Sequence, residues 1–205
     1  MRNKPAMLLT VLVALSFATK AWCQTFAPPA NGFQIRYASN LNIGDSFVNI
    51  SNSGTEGSTD AGGSICTNVY VFDPNETMVA CCSCKVTPNA LVSLSAKNDL
   101  IRNTLTPAIP NSIVIKLLAS RPASPTTGCN PSAPTADTLA RGMRAWGTTL
   151  HALPTTPVTY GITETEFTAG GLSQSELAEL TADCGFIQTE GAGFGICNEC
   201  RLGGL

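Results

Sequence analysis

Three cysteines, Cys81, Cys82 and Cys84, stand within VACCSCKV, a stretch from Val79 to Val86 that otherwise reads as a β-strand. Successive strand residues point to opposite faces, so Cys82 and Cys84 share one side and Cys81 takes the other. No other feature constrains the fold as much, because sulfurs on both faces of one strand need partners on both faces.

The N-terminus says what kind of partners. The chain opens MRNKPAMLLTVLVALSFATKAWCQ, with Arg2 and Lys4, an apolar run of 13 residues from Ala6 to Ala18, and small residues after it. This is the pattern of a secretory signal peptide, and the run is shorter than the roughly 20 residues a membrane-spanning helix needs. Cleavage is expected after Cys23, which makes residues 1–23 the leader; a cut after Ala18 is the alternative, and bulky Trp22 disfavours lipid attachment at Cys23. Removing Cys23 leaves an even set: Cys66, Cys81, Cys82, Cys84, Cys129, Cys184, Cys197 and Cys200. In an exported chain an even set predicts disulfides, since free thiols do not persist in an oxidising compartment. The expected location is secreted or at the cell surface, extracellular or periplasmic, and the style of the leader is bacterial.

Hydrophobic pattern suggests how the sulfurs pair. A hairpin of Ile65–Phe72 with Met78–Val86, turning at Asp73-Pro74-Asn75-Glu76, is expected to set Phe72 opposite Thr77, Val69 opposite Ala80 and Thr67 opposite Cys82. One face then carries Cys82 and Cys84 inward, toward partners among Cys129, Cys184, Cys197 and Cys200. The other face places Cys81 diagonally from Cys66, and a local Cys66–Cys81 bridge is expected. Cys129 is the natural pin for the proline-rich loop RPASPTTGCNPSAPTADT.

Other cysteine chemistries fit less well. Cys197-Asn198-Glu199-Cys200 is a C-x-x-C that could join Cys82 and Cys84 on zinc, but export favours oxidation and C-x-C is unusual spacing. A thioredoxin-like pair needs a βαβ context, and haem attachment needs His where Arg201 stands.

Along the chain, Phe33–Tyr37 and Ser46–Ile50 alternate between turn residues; Leu91–Ser95, the β-branched run Ser112–Leu118, MRAWGTTLHAL, and PVTYGITETEF with Val158, Tyr160 and Ile162 on one face read as further strands. SNSGTEGSTDAGGS reads as a soft loop, Asn98–Leu105 as a short helix or loop, and Gly193–Cys197 as a further strand. Ser173-Gln174-Ser175-Glu176 fits a capping box, with Leu177, Leu180 and Cys184 following at helical spacing. Residues 24–205 are long enough for one domain. The expected class is mainly β: a disulfide-stabilised antiparallel β-sandwich with one short helix near residues 174–183 and a long Pro-rich loop.

Chemistry is sparse. Loss of Arg2, Lys4 and Lys20 with the leader leaves nine Lys and Arg against 14 Asp and Glu, a net charge near −5 that disfavours nucleic acid and anionic membranes as partners. His151 is the lone histidine and no G-x-S-x-G accompanies it. Glu164 and Glu166 would share a strand face, as a glycosidase pair could, though such pairs usually come from different strands. Asp73-Pro74-Asn75-Glu76 offers too few oxygens for calcium, and Gly191–Gly195 lacks the helix of a dinucleotide site. Asn49-Ile50-Ser51 and Asn75-Glu76-Thr77 match glycosylation acceptors.

No catalytic residue, cofactor or metal is therefore expected. The reading is a secreted non-enzymatic extracellular domain, a cell-surface, adhesive, filament or matrix component, whose partners would be copies of itself, another extracellular protein or a glycan. A secreted hydrolase using Glu164 or Glu166 with His151, and a carbohydrate- or protein-binding module, are the alternatives.

Overall fold

A computed structural model describes residues 28–124, 128–157, 159–190 and 192–200. The expected leader, Val158 and Gly191 lie outside the described residues. The chain runs through β1 (Phe33–Ala38), β2 (Phe47–Asn52), the one-turn helix α1 (Asp60–Gly63), β3 (Ile65–Phe72), β4 (Met78–Val86) and β5 (Leu91–Ser95). It continues through β6 (Ile113–Ser120), β7 (Met143–Leu153), β8 (Thr159–Glu166), β9 (Thr168–Ala169) and α2 (Gln174–Thr189).

The strands form two antiparallel sheets, ordered β4-β3-β6-β1-β9 and β5-β2-β7-β8. Between them lies a core to which Val48 and Ile50 contribute from one sheet, and Val69, Val71, Ile115 and Leu117 from the other. Helix α2 covers the outer face of the first sheet and builds a second core, in which Leu177, Leu180 and Ile187 meet Phe33, Tyr70 and Leu118. Strands β3 and β4 are thus buried on both faces, which is why ICTNVYVF and MVACCSCKV are nearly continuous in small, apolar and sulfur-bearing side chains.

The hairpin forms with a register two residues from the expected one. Val69 faces Cys82, Thr67 faces Cys84, and Ile65 faces Val86, with a bulge between Val71 and Phe72. The cause lies in the turn: Asp73 Oδ1 accepts from the N–H groups of Asn75 and Thr77 at 2.9 and 3.0 Å, and Glu76 takes a positive φ of 66°. That arrangement keeps Thr77 in the loop and lets Met78, not Thr77, meet Phe72. A two-residue shift preserves facing, so Cys82 and Cys84 still point into the sandwich and Cys81 away from it.

The shift does overturn the local bridge. Cys66 faces Lys85, and Cys81 stands four positions further along, roughly 13 Å at strand spacing and beyond the about 7 Å a disulfide spans. Cys66 pairs instead with Cys129, pinning the proline-rich loop as the sequence suggested. Cys81 pairs with Cys184 and fastens α2 to the sheet, while Cys82–Cys197 and Cys84–Cys200 fasten the tail.

The tail serves as an edge guard. Cys81 N–H donates to the Gly195 carbonyl at 2.8 Å and Ser83 N–H to the Cys200 carbonyl at 3.3 Å, so the outer rim of β4 does not stand bare. The strand expected at Gly193–Cys197 reduces to a single bridge between Ile196 and Cys81, because Gly193 and Gly195 take positive φ and break the extended run.

Helix α2 reaches Thr189, beyond residue 183. Ser173 Oγ accepts from Glu176 N–H at 3.0 Å as expected, but the Glu176 carboxylate leaves the cap to pair with Lys116. The 98–105 segment resolves into a π-helical turn, Ala96–Leu100, followed by loop.

Candidate functional site

Sheet topology places an open groove along one side of the sandwich. At Phe167 the chain leaves the second sheet as β8 and re-enters the first as β9, which pairs with β1 only at Gln34 and Ile35. Beyond that corner the edges of β1 and β8 diverge. The space between them is a groove of about 650 Å³.

Facing follows from register. Met143, Ala145 and Gly147 of β7 are buried toward the sandwich interior, so alternation sends Thr149 and His151 to the same side. Their partners on β8, Thr163 and Thr165, share that side. Gln34, Arg36 and Ala38 of β1 face the interior from the opposite sheet: Gln34 Nε2 donates to the Met143 carbonyl across the gap at 3.0 Å, and Ala38 joins the central core.

Arg36 spans the groove floor. Its Nη1 donates to the Thr165 carbonyl at 3.0 Å and to the Thr165 hydroxyl, and Nη2 donates to Thr149 Oγ1 at 2.7 Å. Its guanidinium lies 6.0 Å from the centre of the Phe167 ring. The Nε–H is buried with no hydrogen-bond partner. Burial pulls the Arg36 guanidinium below its ordinary pKa, opposed by Tyr37 and Glu164, and among the described residues no carboxylate pairs with it.

Room for this side chain comes from one residue. A Cβ on Gly147 would stand 2.6 Å from both Cδ and Nε of Arg36 and 3.1 Å from the Phe167 ring. Glycine in mid-strand weakens a sheet and marks a close approach; here the approach is the arginine stem. Gly147→Ala is expected to cost about 1–3 kcal/mol through overpacking and to dislodge Arg36, readable by chemical denaturation and by loss of the Thr149 and Thr165 hydroxyl contacts in NMR.

The acid and base candidates do not converge. His151 lies in the groove, with Nε2 and Thr163 Oγ1 sharing a hydrogen bond of 2.8 Å. Glu164 and Glu166 do share a strand face, but it is the outer one: Glu164 accepts from Asn49 Nδ2 at 2.9 Å and Glu166 pairs with Arg144 at 2.5 Å. Both carboxylates are thus engaged elsewhere and neither bonds the imidazole, although Glu166 lines the same groove as His151.

The described cysteines supply no ligands either, since all eight are bridged. Among the described residues no group of three or more His, Cys, Asp or Glu could hold a metal, and no helix is long and apolar enough to cross a membrane. Of the two glycosylation motifs, Asn75 is exposed in the β3–β4 turn whereas Asn49 is committed to Glu164.

A second cleft, about 760 Å³, lies between β1 and the start of α2, lined by Pro29, Phe33, Gly170 and Leu172. Its charges, Lys116 and Glu176, satisfy each other at 2.5 Å. The β1–β8 groove holds the Arg36 guanidinium with no carboxylate in contact with it; Glu166 also lines the groove, but its carboxylate is engaged by Arg144. Sequence reasoning passed over Arg36 and Gly147, although a glycine inside the β-branched run of MRAWGTTLHAL marks a close approach.

No family model matches the chain, and no curated protein matches it. Among solved structures, the crystal structure of Thermotoga maritima 1070 is similar at 9% sequence identity and a TM-score of 0.38, over 69% of this chain and 97% of that one. A likeness that weak carries no argument.

Proposed function

We propose that this chain is an exported, non-enzymatic component of a bacterial cell surface or extracellular matrix, which works by binding and not by turnover. The observation that carries the reading is the pairing of the eight described cysteines into four bridges, an arrangement that an oxidising compartment favours. The leader-like start and the sparsely charged surface agree with it. The engagement of Glu164 by Asn49 and of Glu166 by Arg144, with neither bonded to His151, favours this reading over the hydrolase alternative.

Partner binding has a physical basis in β8. This strand is an edge of its sheet and exposed along nearly its whole length, so its outward N–H and C=O groups are open to strand addition by another chain.

Fractionation of the producing cells, followed by blotting on non-reducing gels, tests the reading. The expected result is oxidised protein, shortened by its leader, in the envelope or the medium, with no hydrolysis of a panel of chromogenic glycosides and esters. Reduced protein in the cytosol would overturn it, and so would turnover that disappears in Glu164→Gln or His151→Ala.

A further inference from the structure

Arg36 is the anomaly of the sandwich. A cation turned toward the interior is normally matched by an anion, yet three of its five donors meet only neutral oxygens of Thr149 and Thr165. Tying the two sheets together does not require a charge. Two residues earlier, Gln34 does that with a neutral amide, donating to the carbonyls of Asn31 and Met143. The chain nevertheless keeps a glycine at position 147, where any side chain would collide with the arginine stem. A neutral tie would need no such vacancy, so the charge at position 36 calls for its own explanation.

The rest of the groove describes what would meet that charge. Thr163, Thr165 and Thr168 line it with hydroxyls, and His151 adds an imidazole whose Nδ1 is left over from the Thr163 bond. Ile35 and Tyr37 leave β1 on the face opposite to Arg36 and, with Val114, line the groove around the β1 edge, the Tyr37 ring standing 61% exposed there. Hydroxyls and imidazole suit a ligand rich in hydroxyl groups, and an exposed ring suits the flat C–H face of a sugar. The groove volume of about 650 Å³ falls within the range of small-ligand sites.

We infer that the groove between β1 and β8 binds a saccharide bearing a single carboxylate, a free uronic acid or the uronate end of a glycan. Arg36 takes the carboxylate, Thr163 and His151 take ring hydroxyls, and Tyr37 stacks on the sugar face. One carboxylate is specified because the surroundings are acidic: Glu166 lines the groove itself and Glu164 lies beside it on β8, and a polyuronate would be repelled along its length. This site gives the binding component proposed above its ligand class and rests on that reading.

Calorimetric titration of the oxidised full-length mature chain tests the assignment, with galacturonic acid, a disaccharide of one neutral sugar ended by glucuronate, galactose and acetate as probes. Both uronates are expected to bind. Galactose, which lacks the charge, and acetate, which lacks the ring, should each bind about 10- to 100-fold more weakly, the span a charge-assisted hydrogen bond commands. Tighter binding of the disaccharide identifies a glycan end as the ligand; equal binding identifies the free acid.

Arg36→Gln keeps neutral donors toward Thr149 and Thr165 and is expected to fold while losing the preference for galacturonate over galactose. Thr163→Val, at an exposed position, should instead lose the preference for galacturonate over acetate. The assignment is overturned by absence of heat with both uronates, by equal affinity for galacturonate and galactose, by a folded Arg36→Gln that binds unchanged, or by preference for a peptide C-terminal carboxylate over the uronates. Cell fractionation reads the broader function separately, so the site can fail while the location stands.

Discussion

Replacing Cys66 and Cys129 together by alanine should cost about 4 kcal/mol of unfolding free energy, more than the loss of any other single bridge. That bridge closes 63 residues, and no route through another disulfide joins its two ends by a shorter path. The remaining three overlap. Cys82–Cys197 and Cys84–Cys200 join nearly the same two segments, with separations of 115 and 116, so with one in place the other closes only a handful of further residues. Removing Cys84 and Cys200 should therefore cost about 2 kcal/mol, far from the nearly 5 that a loop of that length would carry alone. Cys81–Cys184 is intermediate at about 3 kcal/mol, since with Cys82–Cys197 intact it closes a short loop between α2 and the tail. Denaturant unfolding of the three double variants gives the ranking. Equal costs would show that strain or residual denatured structure, not loop closure, sets the stabilisation. Full reduction removes all four bridges at once and should unfold the protein, because their sum rivals the whole stability of a typical domain, about 5–15 kcal/mol.

Much of this framework was legible in the sequence for one reason: facing along a strand has a period of two, and a register error of two residues leaves it untouched. Cys82 and Cys84 were assigned inward, and they meet Cys197 and Cys200 in the core. The partner of Cys66 was not legible, because distance along a strand does change when register slips. The slip originates in the Asp73 side chain, which captures two N–H groups and lengthens the turn.

Alternation in FQIRY hid the groove for a different reason. A strand that alternates apolar and polar residues suggests one wet face, yet β1 is covered on both: Phe33 packs under α2 and Gln34 bonds across to β7. Arg36 could thus look like a solvated residue in the sequence while turning toward the other sheet in the fold. The same limit applies to SNSGTEGSTDAGGS. Its lack of apolar residues was read as softness, but hydrogen bonds hold it in place of hydrophobic contacts.

Asn52 is the buried anchor of that segment, beside Glu56, which accepts from Arg141 N–H, and Asp60, which pairs with Lys85. The Asn52 side chain, 1% exposed at the end of β2, donates to the carbonyl of Gly63 at 2.7 Å and to that of Val86 at 2.9 Å, and its Oδ1 accepts from Gly54 N–H at 2.9 Å. One amide thereby joins the loop, the second sheet and β4 of the first. Asn52→Ala would leave two buried carbonyls without a donor, at about 1–3 kcal/mol each, so a loss near 4 kcal/mol is expected in denaturant unfolding. Asn52→Asp is the sharper variant. Its carboxylate would face the same two carbonyl oxygens as a third acceptor, so the folded state would favour the protonated acid and raise the pKa of residue 52 above its unfolded value of about 3.9. Between the unfolded and the raised pKa the folded form binds the extra proton, so stability must fall as pH rises through that window. Asn52→Asp should be less stable than Asn52→Ala at neutral pH and recover toward it near pH 4, whereas the alanine variant shows no such slope. A carboxylate tolerated at neutral pH, or an alanine variant within about 0.5 kcal/mol of wild type, would mean that the loop is held by something other than this amide.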